Sequence, residues 1–159
     1  MKSQRTRGYG TERELVRKLW KMGFAAIRGP ASGAKVKRGV YPDVVAIRSG
    51  LVLVFEVKYR KKIETIYLPR NQVEKMLEFA RRAGGIALIA IKISELHDWR
   101  IVPVEKLELV GDKFRISRRV IEESPRLDEY ISSMIMRTLD EYLEHPYDAH
   151  LNNKQHSEN

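Results

Sequence analysis

Two strongly apolar segments separated by a two-residue turn signal constrain this chain more than any other feature. Residues 43–48 and 51–59 have the composition of β-strands, and Ser49-Gly50 between them favours a compact reversal of the chain. The sequence therefore predicts an antiparallel hairpin, which excludes a purely parallel sheet. The segment 86–93 is apolar nearly throughout and predicts a central strand buried on both faces.

Charged residues interrupt both apolar strands, although a buried charge is costly unless it is paired or binds a metal. A hairpin centred between Ser49 and Gly50 places Asp43 opposite Glu56, with their Cβ atoms about 5 Å apart. Lys58 lies two residues beyond Glu56 and therefore on the same face of the strand. Two carboxylates and an ammonium group thus converge on one point. This arrangement favours a site for Mg²⁺ or Mn²⁺ over an exposed ion pair.

The rest of the chain predicts an α/β domain whose mixed central sheet is flanked by helices. A first helix should begin at Thr11 with a capping box completed by Glu14, after a flexible basic arm over residues 1–9. A second helix is predicted over 70–83 and an amphipathic helix over 127–143.

The net charge of +9 is concentrated at the beginning of the chain. Residues 1–62 carry +12, residues 63–119 carry +3 and residues 120–159 carry −6. This positive field suggests DNA or RNA as a partner, although on charge alone a merely basic surface is about equally favoured. The acidic residues within the positive segment are Glu12, Glu14, Asp43 and Glu56.

Composition excludes several classes of protein. The chain has no cysteine, which excludes disulfides, zinc–thiolate sites and cysteine nucleophiles. No apolar run approaches the ~18 residues that cross a bilayer, and the basic N-terminus lacks the apolar segment of a secretory signal. We therefore expect a soluble intracellular protein with no membrane partner.

The residues Pro42, Asp43, Glu56 and Lys58 resemble the motif of the PD-(D/E)xK nuclease superfamily. The motif is short, and the segments around it are more specific. They are residues 12–16 in the first helix, 28–33 in the following loop, 42–45 and 55–58. This ordered set is similar to the archaeal-type Holliday junction resolvase family over roughly residues 5–120.

The resemblance implies a restriction-endonuclease-like core and a homodimeric, Mg²⁺-dependent endonuclease in which Mn²⁺ substitutes. Such an enzyme binds four-way junction DNA in recombination and repair, and nicks two opposed strands to leave 5′-phosphate and 3′-hydroxyl ends. The implied catalytic residues are Glu12, Asp43, Glu56 and Lys58, with an accessory role for Ser32. The expected metal ligands are Asp43, Glu56, the backbone carbonyl of Val57, and Glu12.

Basic residues near these positions are expected to contact DNA phosphates, which position the duplex without reading its sequence. They are Arg5, Arg7, Arg13, Arg28, Lys35, Lys37, Arg38, Arg60, Lys61 and Lys62. We expect a nuclease domain over residues 10–120, an acidic helical extension over 121–144 and a disordered tail over 145–159. The location implied is the cytoplasm, in association with the nucleoid.

Two alternatives remain open on the sequence. The first is a PD-(D/E)xK nuclease that acts on other repair or restriction substrates. The second is a non-catalytic DNA-binding protein, which the basic half of the chain alone would support.

Overall fold

The structure, a computed structural model, describes residues 4–30 and 41–144. The elements in chain order are α1 (Gln4–Lys21), β1 (Ala25–Arg28), β2 (Val44–Arg48), β3 (Leu51–Arg60), β4 (Ile66–Pro69), α2 (Arg70–Ala83), β5 (Ile86–Ile93), β6 (Asp98–Pro103), β7 (Glu108–Val110), β8 (Lys113–Ile116), α3 (Arg118–Glu123) and α4 (Leu127–Glu144). A 3₁₀ turn over Val104–Lys106 joins β6 to β7. The chain divides into two units, Met1–Pro125 and Arg126–Asn159.

The predicted hairpin is present as β2 and β3, which pair in antiparallel fashion. Both turn residues have positive φ, 48° at Ser49 and 82° at Gly50, as a type I′ turn requires. This turn matches the twist of the flanking strands and pairs Val44 with Phe55. The register is therefore the one expected from the sequence.

The hairpin lies within a five-stranded sheet in the order β1-β2-β3-β5-β6. Strands β3 and β5 are parallel, whereas the other neighbours are antiparallel, so the predicted mixed sheet is confirmed. Strand β5 is an interior strand, and its residues 87–91 are all buried. The prediction of a central strand buried on both faces is therefore correct.

Helix α2 connects the two parallel strands and has the predicted bounds. Pro69 precedes it with φ −56°, and Gly84 ends it in the left-handed conformation with φ 63°. Its apolar residues Val73, Met76 and Ala80 pack in one buried cluster with alternate residues of β5. Burial of this stripe fixes the helix against the sheet.

Helix α1 begins at Gln4, so the predicted start at Thr11 is wrong. Residues 4–9, expected to form a flexible arm, are helical because glycine weakens a helix without ending it and no proline precedes residue 30. Thr11 is a buried residue of the helix interior. Helix α1 contacts β1, β2 and β3.

Glu14 has a tertiary role instead of the predicted capping role. Its Oε1 accepts hydrogen bonds from Lys92 Nζ at 2.8 Å and Trp99 Nε1 at 3.1 Å. Burial raises the pKa of Glu14, but these hydrogen bonds outweigh burial and hold the pKa below its usual value. Glu14 therefore links α1 to β5 and β6.

A second sheet in the order β4-β8-β7 was not predicted. Its strands are three or four residues long, and β7 is exposed throughout, so the alternation that identifies a strand is too brief to detect. The Gly111-Asp112 turn signal lies between β7 and β8. This sheet adds the buried residues Ile66, Leu68 and Ile116 to the cluster around α2.

The second unit contains α4, which matches the predicted amphipathic helix to within a residue. The two units meet after Pro125, whereas the extension was predicted to begin at residue 121. The predicted disordered tail, 145–159, lies outside the described residues. None of the described helices has the length and apolar character needed to cross a membrane.

Candidate active site

Asp43 lies immediately before β2, and two hydrogen bonds hold it against residues within β3. Its backbone N–H donates to the carbonyl of Phe55 at 3.0 Å, and its Oδ2 accepts from the N–H of Val57 at 2.8 Å. Regular pairing ends at Val44–Phe55, one residue before the predicted Asp43–Glu56 pair. The Asp43 carboxylate nevertheless lies close enough to Glu56 to act on its ionisation.

Glu56 is the buried carboxylate of the site, with 6% of its surface exposed. Its Oε1 accepts from Lys58 Nζ at 2.8 Å and from Gln72 Nε2 at 2.6 Å. Burial, followed by repulsion from Asp43, raises the pKa of Glu56 to about 7, although Lys58 opposes the shift. A cation beside these two carboxylates would relieve this repulsion.

Glu12 approaches from α1 and forms an ion pair with Arg28 of β1, at 2.9 Å between Oε2 and Nε. Burial raises the pKa of Glu12, the Arg28 hydrogen bond lowers it, and the Asp43 charge raises it again, with a net increase. Asp43 therefore acts on the ionisation of both glutamates. The predicted residues Glu12, Asp43, Glu56 and Lys58 lie in one neighbourhood.

The donor set fits a single hard divalent cation held by two carboxylates. Across residues 4–30 and 41–144, no three acidic or histidine side chains lie close enough together to hold a metal ion. Mg²⁺ commonly binds to one or two carboxylates and keeps several waters, so Asp43 and Glu56 suffice with a backbone carbonyl. Glu12, paired with Arg28, is not gathered into the same ligand cluster.

The predicted DNA-binding residues fall into three groups. The first group forms ion pairs within the protein: Arg28 with Glu12, and Arg60 with Glu64 at 3.4 Å. The second group is exposed to solvent and consists of Arg13, Lys61 and Lys62. The third group lies wholly or partly outside the described residues. Arg5 and Arg7 belong to α1, but their side chains are not described, and Lys35, Lys37 and Arg38 lie outside the described residues altogether. The predicted accessory residue Ser32 also lies outside them.

Gln72 is a site residue that the sequence did not reveal. It lies in the first turn of α2, sixteen residues after Glu56, and nothing in the local pattern distinguishes it from other polar helix residues. Only the packing of α2 on the sheet brings its amide to the Glu56 carboxylate.

A carboxylate just before β2, with an adjacent carboxylate and a lysine on the paired strand β3, defines the class of PD-(D/E)xK nucleases. Comparison with known proteins identifies the family within this class. The model of the family described as archaeal Holliday junction resolvase (Hjc) matches residues 3–138. The chain therefore belongs to the archaeal Holliday junction resolvase family, and the predicted family, fold class and junction-resolving endonuclease function are confirmed.

Relatives from two archaea support this assignment. The crossover junction endodeoxyribonuclease Hjc of Sulfurisphaera tokodaii is 37% identical over 147 residues, covering 90% of this chain and 100% of the relative. The Hjc of Archaeoglobus fulgidus is 42% identical over 120 residues, covering 76% of this chain and 83% of the relative.

Two solved structures resemble this fold. The structure of Archaeoglobus fulgidus Hjc, described as a Holliday junction resolvase, superposes with a TM-score of 0.67 at 36% identity, covering 78% of this chain and 94% of that chain. A bacterial homing endonuclease superposes with a TM-score of 0.50 at 18% identity, covering 89% of this chain and 99% of that chain. The second likeness concerns the fold alone.

Gly29 holds the end of β1 against the backbone that precedes Asp43. Its N–H donates to the carbonyl of Asp43 at 2.9 Å. A Cβ at this position would lie 2.0 Å from the carbonyl oxygen of Pro42, which is backbone and can move only with Asp43. Because Gly29 has no side chain, the end of β1 can approach the backbone of Pro42 closely, and this contact helps to position Asp43.

We expect Gly29→Ala to lower the free energy of unfolding by about 1–3 kcal/mol and to reduce cleavage, because the added methyl group displaces Pro42 and Asp43. Gly10→Ala is the matched control, since a Cβ there meets nothing within 4 Å and should stabilise α1 by about 0.5–1 kcal/mol. Denaturant unfolding and junction cleavage measure the two effects. Equal stability of Gly29→Ala and wild-type protein would contradict the close approach.

The raised pKa of Glu56 predicts a pH dependence of stability in the presence of a chelator. Because the pKa of Glu56 is about 7 in the folded protein and 4.5 for an ordinary glutamate, the unfolded chain releases this proton first as the pH rises. The stabilising contribution is complete below pH ~4.5 and is lost as the pH rises through ~7. Thermal unfolding of wild-type and Glu56→Gln protein from pH 5 to 8 measures this; identical pH profiles would disprove it.

Proposed function

We propose that this resolvase cuts junction DNA with a bound divalent metal ion, Mg²⁺ or, in its place, Mn²⁺. The observation that carries the proposal is the pair of adjacent carboxylates Asp43 and Glu56, whose repulsion contributes to the raised pKa of Glu56. A divalent cation held by both carboxylates would offset this repulsion. Oxygen ligands of this kind suit hard cations.

Asp43, Glu56 and the backbone carbonyl of Val57 are the proposed ligands. When bound, such an ion polarises the scissile phosphate, lowers the pKa of a water and neutralises the leaving oxygen. Lys58, whose ammonium group lies 2.8 Å from Glu56, orients the attacking water or stabilises the charge that develops on the phosphate. Hydrolysis then leaves 5′-phosphate and 3′-hydroxyl ends.

Glu12 and Ser32 have supporting roles in this proposal. Glu12 lies within electrostatic reach of Asp43, so it can hold a second ion or its water without joining the first ligand set. Arg28, as its ion-pair partner, restrains the Glu12 side chain. Ser32 is assigned an accessory role in the loop that follows β1.

The basic residues around the site bind DNA phosphates and select the shape of the junction instead of its base sequence. These contacts come from residues 1–62, where the net charge is +12. We also propose that the protein acts on chromosomal DNA inside the cell, at the nucleoid in the cytoplasm.

The decisive experiment for the metal site is cleavage of a synthetic four-way junction with mapped nicks. Asp43→Asn and Glu56→Gln should each reduce cleavage in Mg²⁺ or Mn²⁺ by at least about 10²-fold and leave junction binding largely intact. Lys58→Met should reduce cleavage with the same retention of binding. Glu74→Gln, an exposed carboxylate on α2, is the control and should cleave normally. Wild-type protein that is inert with both ions would refute metal-dependent cleavage.

The protein should act as a homodimer because two symmetric nicks require two active sites related by a two-fold axis. Light scattering at micromolar concentration should give twice the mass of the 159-residue chain. A dimer of one wild-type and one Asp43→Asn subunit should nick only one of the two opposed strands efficiently. A monomeric mass would contradict the homodimer. Paired nicking by the mixed dimer would contradict one active site per subunit.

A further inference from the structure

A pocket adjoins the two carboxylates on the side of α2. It has a volume of about 350 Å³, at the lower end of the range for small-molecule sites. The residues that line it include Asp43 and Glu56, together with Tyr41, Asn71 and Lys75. Whatever occupies this pocket therefore lies next to the phosphate that the proposed metal ion would bind.

Lys75 stands apart from the other basic residues of α2. Arg70 pairs with Glu74, and Arg81 and Arg82 both pair with Glu78. Lys75 forms no ion pair with any residue that the structure describes, although it is the basic residue of α2 that lines the pocket. An exposed ammonium group beside a phosphate-cleaving site is suited to a second phosphate.

Asn71 and Tyr41 give the pocket the remaining features of a nucleotide site. The Asn71 side chain makes no hydrogen bond within the described residues, so its amide can donate to and accept from a base edge. Tyr41 is 58% exposed, and an exposed aromatic ring is a surface on which a base can stack. Gln72, which lies between Asn71 and Lys75 in the sequence, already donates a hydrogen bond to Glu56.

We propose that this pocket binds the nucleotide next to the scissile phosphate on the cut strand. Lys75 binds its phosphate, Tyr41 stacks on its base and Asn71 hydrogen-bonds to the base edge. Phosphate contacts elsewhere on the protein select the junction, and this pocket holds the cut strand in place beside Asp43 and Glu56. The inference rests on the proposed cleavage by Asp43 and Glu56.

The phosphate contact is tested by junction binding in the presence of a chelator, where no cleavage occurs. Lys75→Gln should weaken binding about three- to tenfold and reduce the slope of log K against log [salt] by about 0.9, the value for one lost phosphate contact. Lys106→Gln, an equal change of charge on an exposed residue that does not line the pocket, should leave the slope unchanged. Equal slopes for Lys75→Gln and wild-type protein would overturn the phosphate contact.

The base contacts are tested by the rate at which variants cleave a synthetic four-way junction in Mg²⁺. Tyr41→Ala should reduce cleavage about tenfold, whereas Tyr41→Phe should retain it because the ring still stacks. Asn71→Ala should reduce cleavage about three- to tenfold, because the base loses one hydrogen bond. Wild-type cleavage by Asn71→Ala, or equal cleavage by the two Tyr41 variants, would overturn the base contacts in this pocket.

These results separate the pocket from the metal site. If Asp43→Asn still cleaves, the proposed metal site is wrong whatever the pocket variants do. If Asp43→Asn is inactive while the pocket variants bind and nick like wild-type protein, only the nucleotide pocket is wrong.

Discussion

The repulsion between Asp43 and Glu56 is the interaction around which the site is arranged. Two carboxylates this close, one of them 6% exposed, destabilise the fold unless donors or a cation compensate. The Val57 N–H donates to Asp43, and Lys58 and Gln72 donate to Glu56. These donors still leave the pKa of Glu56 raised, first by burial and then by the Asp43 charge, so a cation at the site would favour the ionised carboxylate.

The fold supplies these donors from two elements, β3 and α2. Strand β3 provides the N–H of Val57 and the Lys58 ammonium group, while α2 provides the Gln72 amide. The β3–β5 pair is parallel, so the chain must cross over between these strands, and α2 is the helix that makes the crossing. The same crossing places Lys75 beside the carboxylates, which joins the metal site and the pocket in one structural unit.

The sequence was sufficient for those parts of the fold that depend on local signals. The Ser49-Gly50 turn and the apolar strands around it determine the hairpin register, and a proline and a glycine mark the two ends of α2. Gln72 could not be predicted because its role arises only from tertiary packing. The second sheet escaped prediction for a different reason: strands of three or four residues carry too short a pattern.

Glu14 shows how a local signal can be present and yet be overridden. Thr11 and Glu14 have the spacing of a capping box, but Glu14 binds Lys92 and Trp99, which lie near the β6 edge of the sheet. Glu12, two residues earlier and about 200° around the helix, binds Arg28 on β1 at the opposite edge. Helix α1 is therefore held at both edges, which restrains its rotation and its sliding along the sheet. Asp43 and Glu56 thus form the proposed cation site, and the two glutamates of α1 fix the helix beside it, which also places Glu12 for its supporting role.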